Sequence, residues 1–228
     1  MGQAERNAYM VETFVPGENG EDRAGDKNDV WRELGRYAKL IHSIEVVGFG
    51  EELVDPERGA FKDSWDRFID YNVSSLTDDD ILIEFGVLTS AQSEEVRAVF
   101  EEIRRQSFNF GLNHGDLSLW NTLVEPSGKV NLLDWGSAEA HIVPHFDFVH
   151  ILGCHEESGD PDEAELRAFF EGYGISQAAR ERLEPELYSL MLLKAIDKLR
   201  WALDQNPSKV PEFTERVRET LRLKLSVY

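Results

Sequence analysis

Asp116, Asn121 five positions on and Asp134 thirteen further have the types and spacing for one particular chemistry. Phosphoryl transfer needs a carboxylate that orients the attacking hydroxyl and accepts its proton. It also needs a second carboxylate and an amide oxygen to hold the magnesium that bridges the nucleotide phosphates. Mg²⁺ takes hard oxygen ligands and few of them from protein, so one Asp and one Asn suffice. On this reading Asp116 is the base, and Asn121 and Asp134 bind the metal and, through it, the nucleotide. The bland alternative is a loop in which Asp and Asn only cap turns. The joint occurrence of His114-Gly115-Asp116, Asn121, a hairpin pattern and Asp134-Trp135-Gly136 argues against it.

Such residues need elements to position them. Thr122-Leu123-Val124 is a short apolar run, Pro126-Ser127-Gly128-Lys129 reads as a turn, and Val130 to Leu133 returns. A hairpin over 121–134 brings Asn121 and Asp134 to one end of two paired strands, with Asp116 facing the same cleft. Around it the chain reads as α+β and mostly α. A strand is expected at 8–15, then a polar Gly/Asp-rich loop at 17–28. Asp29 opens a helix to about Ser43, with Val30, Leu34, Tyr37, Leu40 and Ile41 at helical spacing. Further helices are expected at 61–74, 78–86 and 93–106, and a strand from Phe108 to Leu112 feeds the loop. Beyond the hairpin, helices are expected at 145–154, 162–172, 177–205 and 211–226, punctuated by Asp160-Pro161 and by Gly172 and Gly174.

The interval from His114 to Asn121 matches the H-x-D-L-x-x-x-N loop of kinases, and Asp134-Trp135-Gly136 stands where D-F-G would. With Pro144-His145-Phe146-Asp147 downstream, the chain resembles the aminoglycoside phosphotransferase and choline kinase group, small-molecule kinases of protein-kinase-like fold. Tyr9 to Gly17 is similar to the strand and linker between the two kinase lobes, and Trp31 to His42 to the helix after it. The resemblance implies a hinge strand and acidic linker at 1–28. It also implies a helical C-terminal lobe at 29–228, with a catalytic loop at 113–121 and a metal-binding segment at 134–136. It implies ATP as donor, Mg²⁺ as cofactor, and Glu12 and Phe14 beside the nucleotide. Ser118-Leu119-Trp120 departs from the His-Pro-Gly common in the family. Gly115 replaces the Arg of H-R-D, which in protein kinases can receive an activation-loop phosphate. The stretch from Gly136 to Asp147 is short, which leaves little platform for a protein substrate and favours a small hydroxylated one.

A complete kinase of this fold carries a glycine-rich loop over the phosphates and a strand lysine paired with a helix glutamate. Gly17, Gly20 and Gly25 lie in an acidic loop, and Gly48-Phe49-Gly50 follows a helix. Neither is followed by a lysine-bearing strand. The N-terminal lobe is therefore expected to be largely missing. Its absence would leave an exposed face at Phe14 and Leu123, suited to self-association or a partner, and little Mg-ATP binding by this chain alone.

The net charge is −20, from 44 acidic and 24 basic residues. Such a field repels nucleic acid and attracts cations, so a cationic acceptor fits, as does a merely solvated acidic surface. One cysteine, Cys154, excludes an intramolecular disulfide and suits a reducing, cytoplasmic setting. The polar N-terminus lacks a signal-peptide core, and the apolar run near Tyr188 to Leu193 is too short to span a bilayer.

Several residues carry competing readings. His141, His145, His150, Cys154 and His155 are zinc candidates, but a single thiolate argues for core and packing roles. His114 is expected to hold backbone near Asp134. Asp147 reads locally as a helix N-cap and, by resemblance, as a brace for the catalytic loop. By position Glu156, Glu157, Asp160, Tyr188, Asp197 and Trp201 are acceptor-site candidates, although Tyr188 and Trp201 fall on an apolar helical stripe that reads as core. The rival to a phosphotransferase is a non-catalytic kinase-like domain that binds a nucleotide, a metabolite or a partner lobe.

Overall fold

The computed structural model describes residues 14–46 and 61–226. Strand β1 (Glu18–Asn19) precedes α1 (Asn28–His42), α2 (Phe61–Ser74), α3 (Ile81–Glu84) and α4 (Ser90–Arg105). Then come β2 (Asn109–Asn113), β3 (Thr122–Val124), β4 (Val130–Leu132) and β5 (Glu139–Val143). Helices α5 (His145–Ser158), α6 (Glu163–Tyr173), α7 (Gln177–Gln205) and α8 (Val210–Ser226) complete the chain. The architecture is α+β and mostly helical, as the periodicity indicates.

The expected hairpin forms: β3 and β4 pair antiparallel with Thr122 opposite Leu132 and Val124 opposite Val130. Glu125 N donates to Lys129 O, and Gly128 takes a positive φ of 86° in the turn. Four expectations need correction. The segment 17–28 is not all loop, because Glu18 and Asn19 pair with Val124 and Leu123. The expected strand at 8–15 is not continued at Phe14 and Val15, which are irregular, and the rest of it lies outside the described residues. Helix α3 is one turn, not nine residues, because Asp80 caps it at Leu82 N and the chain turns again at Gly86. Helix α4 starts three residues early, at Ser90, since Thr89 and Gln92 form a reciprocal capping box.

One strand was not anticipated. β5 runs antiparallel to β2, from Asn109 opposite Val143 to Asn113 opposite Glu139. Its sequence, Glu-Ala-His-Ile-Val, has no strict alternation and becomes a strand through a partner thirty residues away.

The helices pack around this centre. Gly35 on α1 faces the Phe169 carbonyl, and Gly172 on α6 faces the Arg32 carbonyl, so closely that any Cβ would collide with backbone. Helices α1 and α6 therefore touch main chain to main chain. Phe148 of α5 is fully buried among Phe169, Phe170 and Tyr173 of α6, at ring separations of 5.9, 5.0 and 4.9 Å. Burying one such ring contributes about 1.5–3 kcal/mol. This contact fixes α5, the helix that reaches toward the hairpin. At the other end of the core, Arg200 of α7 makes a buried two-pronged pair with Asp80 at 3.0 and 2.7 Å. Among the described residues no helix is long and apolar enough to cross a membrane.

Candidate active site

Because Asn113 and Glu139 face each other across β2 and β5, residues 114–138 form one excursion closed at its base. Asp147, in the first turn of α5 and wholly buried, secures its entry. Its Oδ1 accepts from Gly115 N at 2.8 Å, and its Oδ2 accepts from His114 N at 3.1 Å and lies 3.0 Å from His42 Nε2. Burial pushes the Asp147 carboxyl up, but the His42 contact and the two amide donors outweigh it and hold the pKa below the usual carboxylate value. Asp147 is not the N-cap, because Pro144 occupies that position and the helix begins at His145. Gly115 has φ +80°, and a side chain there would strike the Ser137 carbonyl. Glycine between His114 and Asp116 is thus a steric requirement of this loop.

His114 is buried and bridges the excursion. Its Nδ1 accepts from Asp116 N at 3.4 Å, so the ring proton sits on Nε2, which donates to Leu133 O at 3.0 Å. Leu133 N in turn donates to Asn121 O at 2.8 Å. These contacts bring the ends of the hairpin against the loop that carries Asp116. Both oxygens of the Asp116 carboxylate are engaged: Oδ2 accepts from Asn121 Nδ2 at 2.9 Å, and Oδ1 lies 3.3 Å from His150 Nε2. Asn121 Nδ2 also donates to Asp116 O at 2.8 Å. Two acceptors on one side fix the amide orientation, and among the described residues its Oδ1 accepts no hydrogen bond.

Asp134 is exposed, and its backbone is left-handed, with φ 54° and ψ 76°. It is the one described non-glycine residue with positive φ. Asp tolerates this region better than most residues, yet such conformations cost of order 1–3 kcal/mol. Its Oδ1 accepts from Gly136 N at 3.2 Å, which leaves Oδ2 uncommitted. The free oxygens of Asn121 and Asp134 are hard donors flanking the end of one hairpin, a set that fits Mg²⁺. Among the described residues no group of three or more His, Cys, Asp and Glu gathers as a metal cage. The former zinc candidates have other contacts: His141 stacks on Phe146 at 4.1 Å, and His155 Nδ1 lies 2.7 Å from Pro161 O.

The sequence offered His150 only as a zinc candidate, not as a partner of Asp116. The available signal was spacing. It lies three residues after Asp147 on α5, hence on the same helix face, turned to the same loop. The His150 contact, partly opposed by burial and reinforced by Asn121, holds Asp116 down at about 2. Burial alone pulls His150 down, but the Asp116 carboxylate and the nearby Cys154 reverse this and raise it to about 9. A raised histidine stabilises the fold fully below its unfolded pKa, and that contribution is lost as pH rises through about 9. In NMR titration the His150 ring should remain protonated at pH 7. In Asp116→Asn its midpoint should fall by a unit or more; an unshifted midpoint would refute the pairing.

His150 also opens onto a cavity of about 550 Å³ between α5, α7 and α8. Glu156 and Glu157 line it. Glu156 accepts from Tyr188 OH at 3.0 Å, and Glu157 pairs with Arg216. Asp160 and Trp201 are not among its lining residues, and Asp197 borders a neighbouring cavity. Trp201 is half exposed rather than core, and Tyr188 is half-buried. Glu12 lies outside the described residues, and Phe14 is 87% exposed.

Comparison with known proteins gives a consistent picture. The model of the phosphotransferase enzyme family matches residues 2–185. Among solved structures, the gentamicin complex of APH(2")-IIa is 17% identical and covers 91% of this chain and 70% of its own, with a TM-score of 0.58. An ethanolamine kinase of Plasmodium vivax is 15% identical over 95% of this chain and 66% of its own, with a TM-score of 0.55. The choline kinase LicA of Streptococcus pneumoniae is 18% identical over 86% of this chain and 64% of its own, at 0.50. No curated protein gives a significant sequence match. At these identities the structural likeness establishes the protein-kinase-like fold.

Proposed function

The chain belongs to the phosphotransferase enzyme family, and from that premise we propose that it transfers a phosphoryl group from ATP to a hydroxyl of a small molecule, with Mg²⁺. The observation that carries this reading is the Asp116 carboxylate, held by Asn121 on one oxygen and His150 on the other and half open to solvent. A carboxylate so oriented can receive the proton of an incoming hydroxyl. His114 and Asp147 hold the backbone on either side of it. Asn121 and Asp134 would hold the metal, which when bound neutralises charge on the donor phosphates.

Asp134→Asn removes a charged oxygen from that pair. It should weaken magnesium-dependent nucleotide binding by about tenfold or more in calorimetry, while binding of nucleotide without magnesium changes little. Equal loss in both conditions would take Asp134 out of the metal site. The function itself is tested by incubating the chain with Mg-ATP and a panel of hydroxylated compounds and following transfer of the terminal phosphate. Metabolite binding with neither nucleotide binding nor transfer would favour the rival, a non-catalytic kinase-like domain.

A further inference from the structure

We propose that the acceptor of this reaction carries an anionic group, a carboxylate or a phosphate, which is received by Lys194 and Lys198 in the cavity beside His150. The proposal rests on the phosphotransferase reading and adds the substrate class.

Lys194 and Lys198 are one turn apart on α7 and both line the cavity. Like charges at this spacing destabilise a helix, and the intervening Asp197 relieves them only in part. Neither ammonium makes a hydrogen bond or an ion pair among the described residues. Lys194 instead rests over the Phe146 ring, with Nζ 4.6 Å from its centroid. The same two lysines border the adjoining cavity of about 230 Å³, which is lined by Trp65, Phe68 and Phe146. They therefore stand between the two cavities, the smaller of which also carries Glu139 and Asp197, while the larger reaches His150, the partner of Asp116.

Within the larger cavity the carboxylates do not offset them, and of the two on the smaller one Asp197 accepts from Asn72 Nδ2 at 3.2 Å. Glu156 is engaged by Tyr188, and Glu157 by Arg216. Glu219 alone faces the space without a partner among the described residues. Against it stand two free ammoniums and His150, which Asp116 holds protonated. This local balance is the reverse of a chain whose net charge is −20. Burial, then the neighbouring Lys198, pulls Lys194 down to about 8, with only partial relief from Glu139 and Asp147. An anion bound here would raise it again.

The test uses a matched series: glycerol, glycerate and glycerol 3-phosphate, with choline and gentamicin as cationic arms. Binding to the full chain is measured by calorimetry without nucleotide, at two salt concentrations. Glycerate or glycerol 3-phosphate should bind at least tenfold more tightly than glycerol, and less tightly at high salt. The preferred member of the pair identifies the anion. Lys194→Gln should reduce that binding about tenfold, and Lys198→Gln, at an exposed position where folding does not depend on the side chain, severalfold. Tighter binding of choline or gentamicin, or anion binding unchanged in both variants, would overturn the proposal. Anion binding that depends on these lysines, together with Mg-ATP binding but no transfer to any hydroxyl, would leave the anion site intact and refute the phosphotransferase reading instead.

Discussion

Asp116→Asn should lower phosphate transfer by about 10²- to 10⁴-fold, the range attributable to a lost general base. The effect should fall on kcat rather than on nucleotide affinity, because Asp116 is assigned to the attacking hydroxyl and not to the donor phosphates. An amide of the same shape keeps one acceptor oxygen, so it retains only one of the contacts with Asn121 and His150, and it cannot take up a proton. The comparison applies to the 228-residue chain or to any longer protein that carries it. With Asp116 held down at about 2, the base stays ionised through the whole neutral range, so its own titration should not limit the rate between pH 5 and 8. His150 loses its proton as pH passes about 9. The alkaline limb of the rate profile should follow it and move in His150→Gln. Retention of more than a tenth of the activity in Asp116→Asn would exclude the assigned role.

The second large effect is on stability. Asp147→Ala should cost about 3–5 kcal/mol, the usual result of removing one partner from a buried charged cluster. The substitution strands His114 N, Gly115 N and His42 Nε2, each of which loses its acceptor inside the core. Against a total stability of about 5–15 kcal/mol this is a large fraction. Urea unfolding gives the magnitude, and hydrogen exchange at the His114 and Gly115 amides shows whether the loop entry opens first. Because the Asp147 pKa is depressed, its contribution is present above the unfolded value near 3.8 and is lost as the pH falls below it. The wild-type chain should lose stability on acidification and Asp147→Ala should lose less. A cost under 1 kcal/mol would show that the loop is held by other means.

The parts of this molecule that could be read from sequence are those decided locally. The hairpin of β3 and β4 follows from two apolar runs and a Ser-Gly turn, and α7 was bounded at 177–205 despite Pro185 within it. Helix α5 starts where expected, after Pro144, but runs on to Ser158; α6 is shifted by one residue at each end, between Asp162 and Gly174; and α8 ends where expected. Features that depend on distant partners were not legible. β5 exists because β2 lies beside it, and β1 is two residues recruited by β3. Asp147 was misread as a cap because an Asp near a helix start fits that role locally, whereas its contacts with His42, His114 and Gly115 depend on distant segments. His150 was weighed only as a zinc candidate because its partner Asp116 lies on a distant segment, and the spacing from Asp147 was the one local sign of it. Trp201 was assigned to the core by its stripe, but the stripe is wider than the face that α7 buries.

The left-handed backbone at Asp134 sets heat resistance and chemistry against each other. A glycine would occupy φ 54° without strain, so Asp134→Gly relieves a local cost that the native chain keeps. A laboratory selection that rewards survival at high temperature alone should therefore accumulate this substitution. Each survivor would be a sturdier protein that had given up the carboxylate at the end of its hairpin.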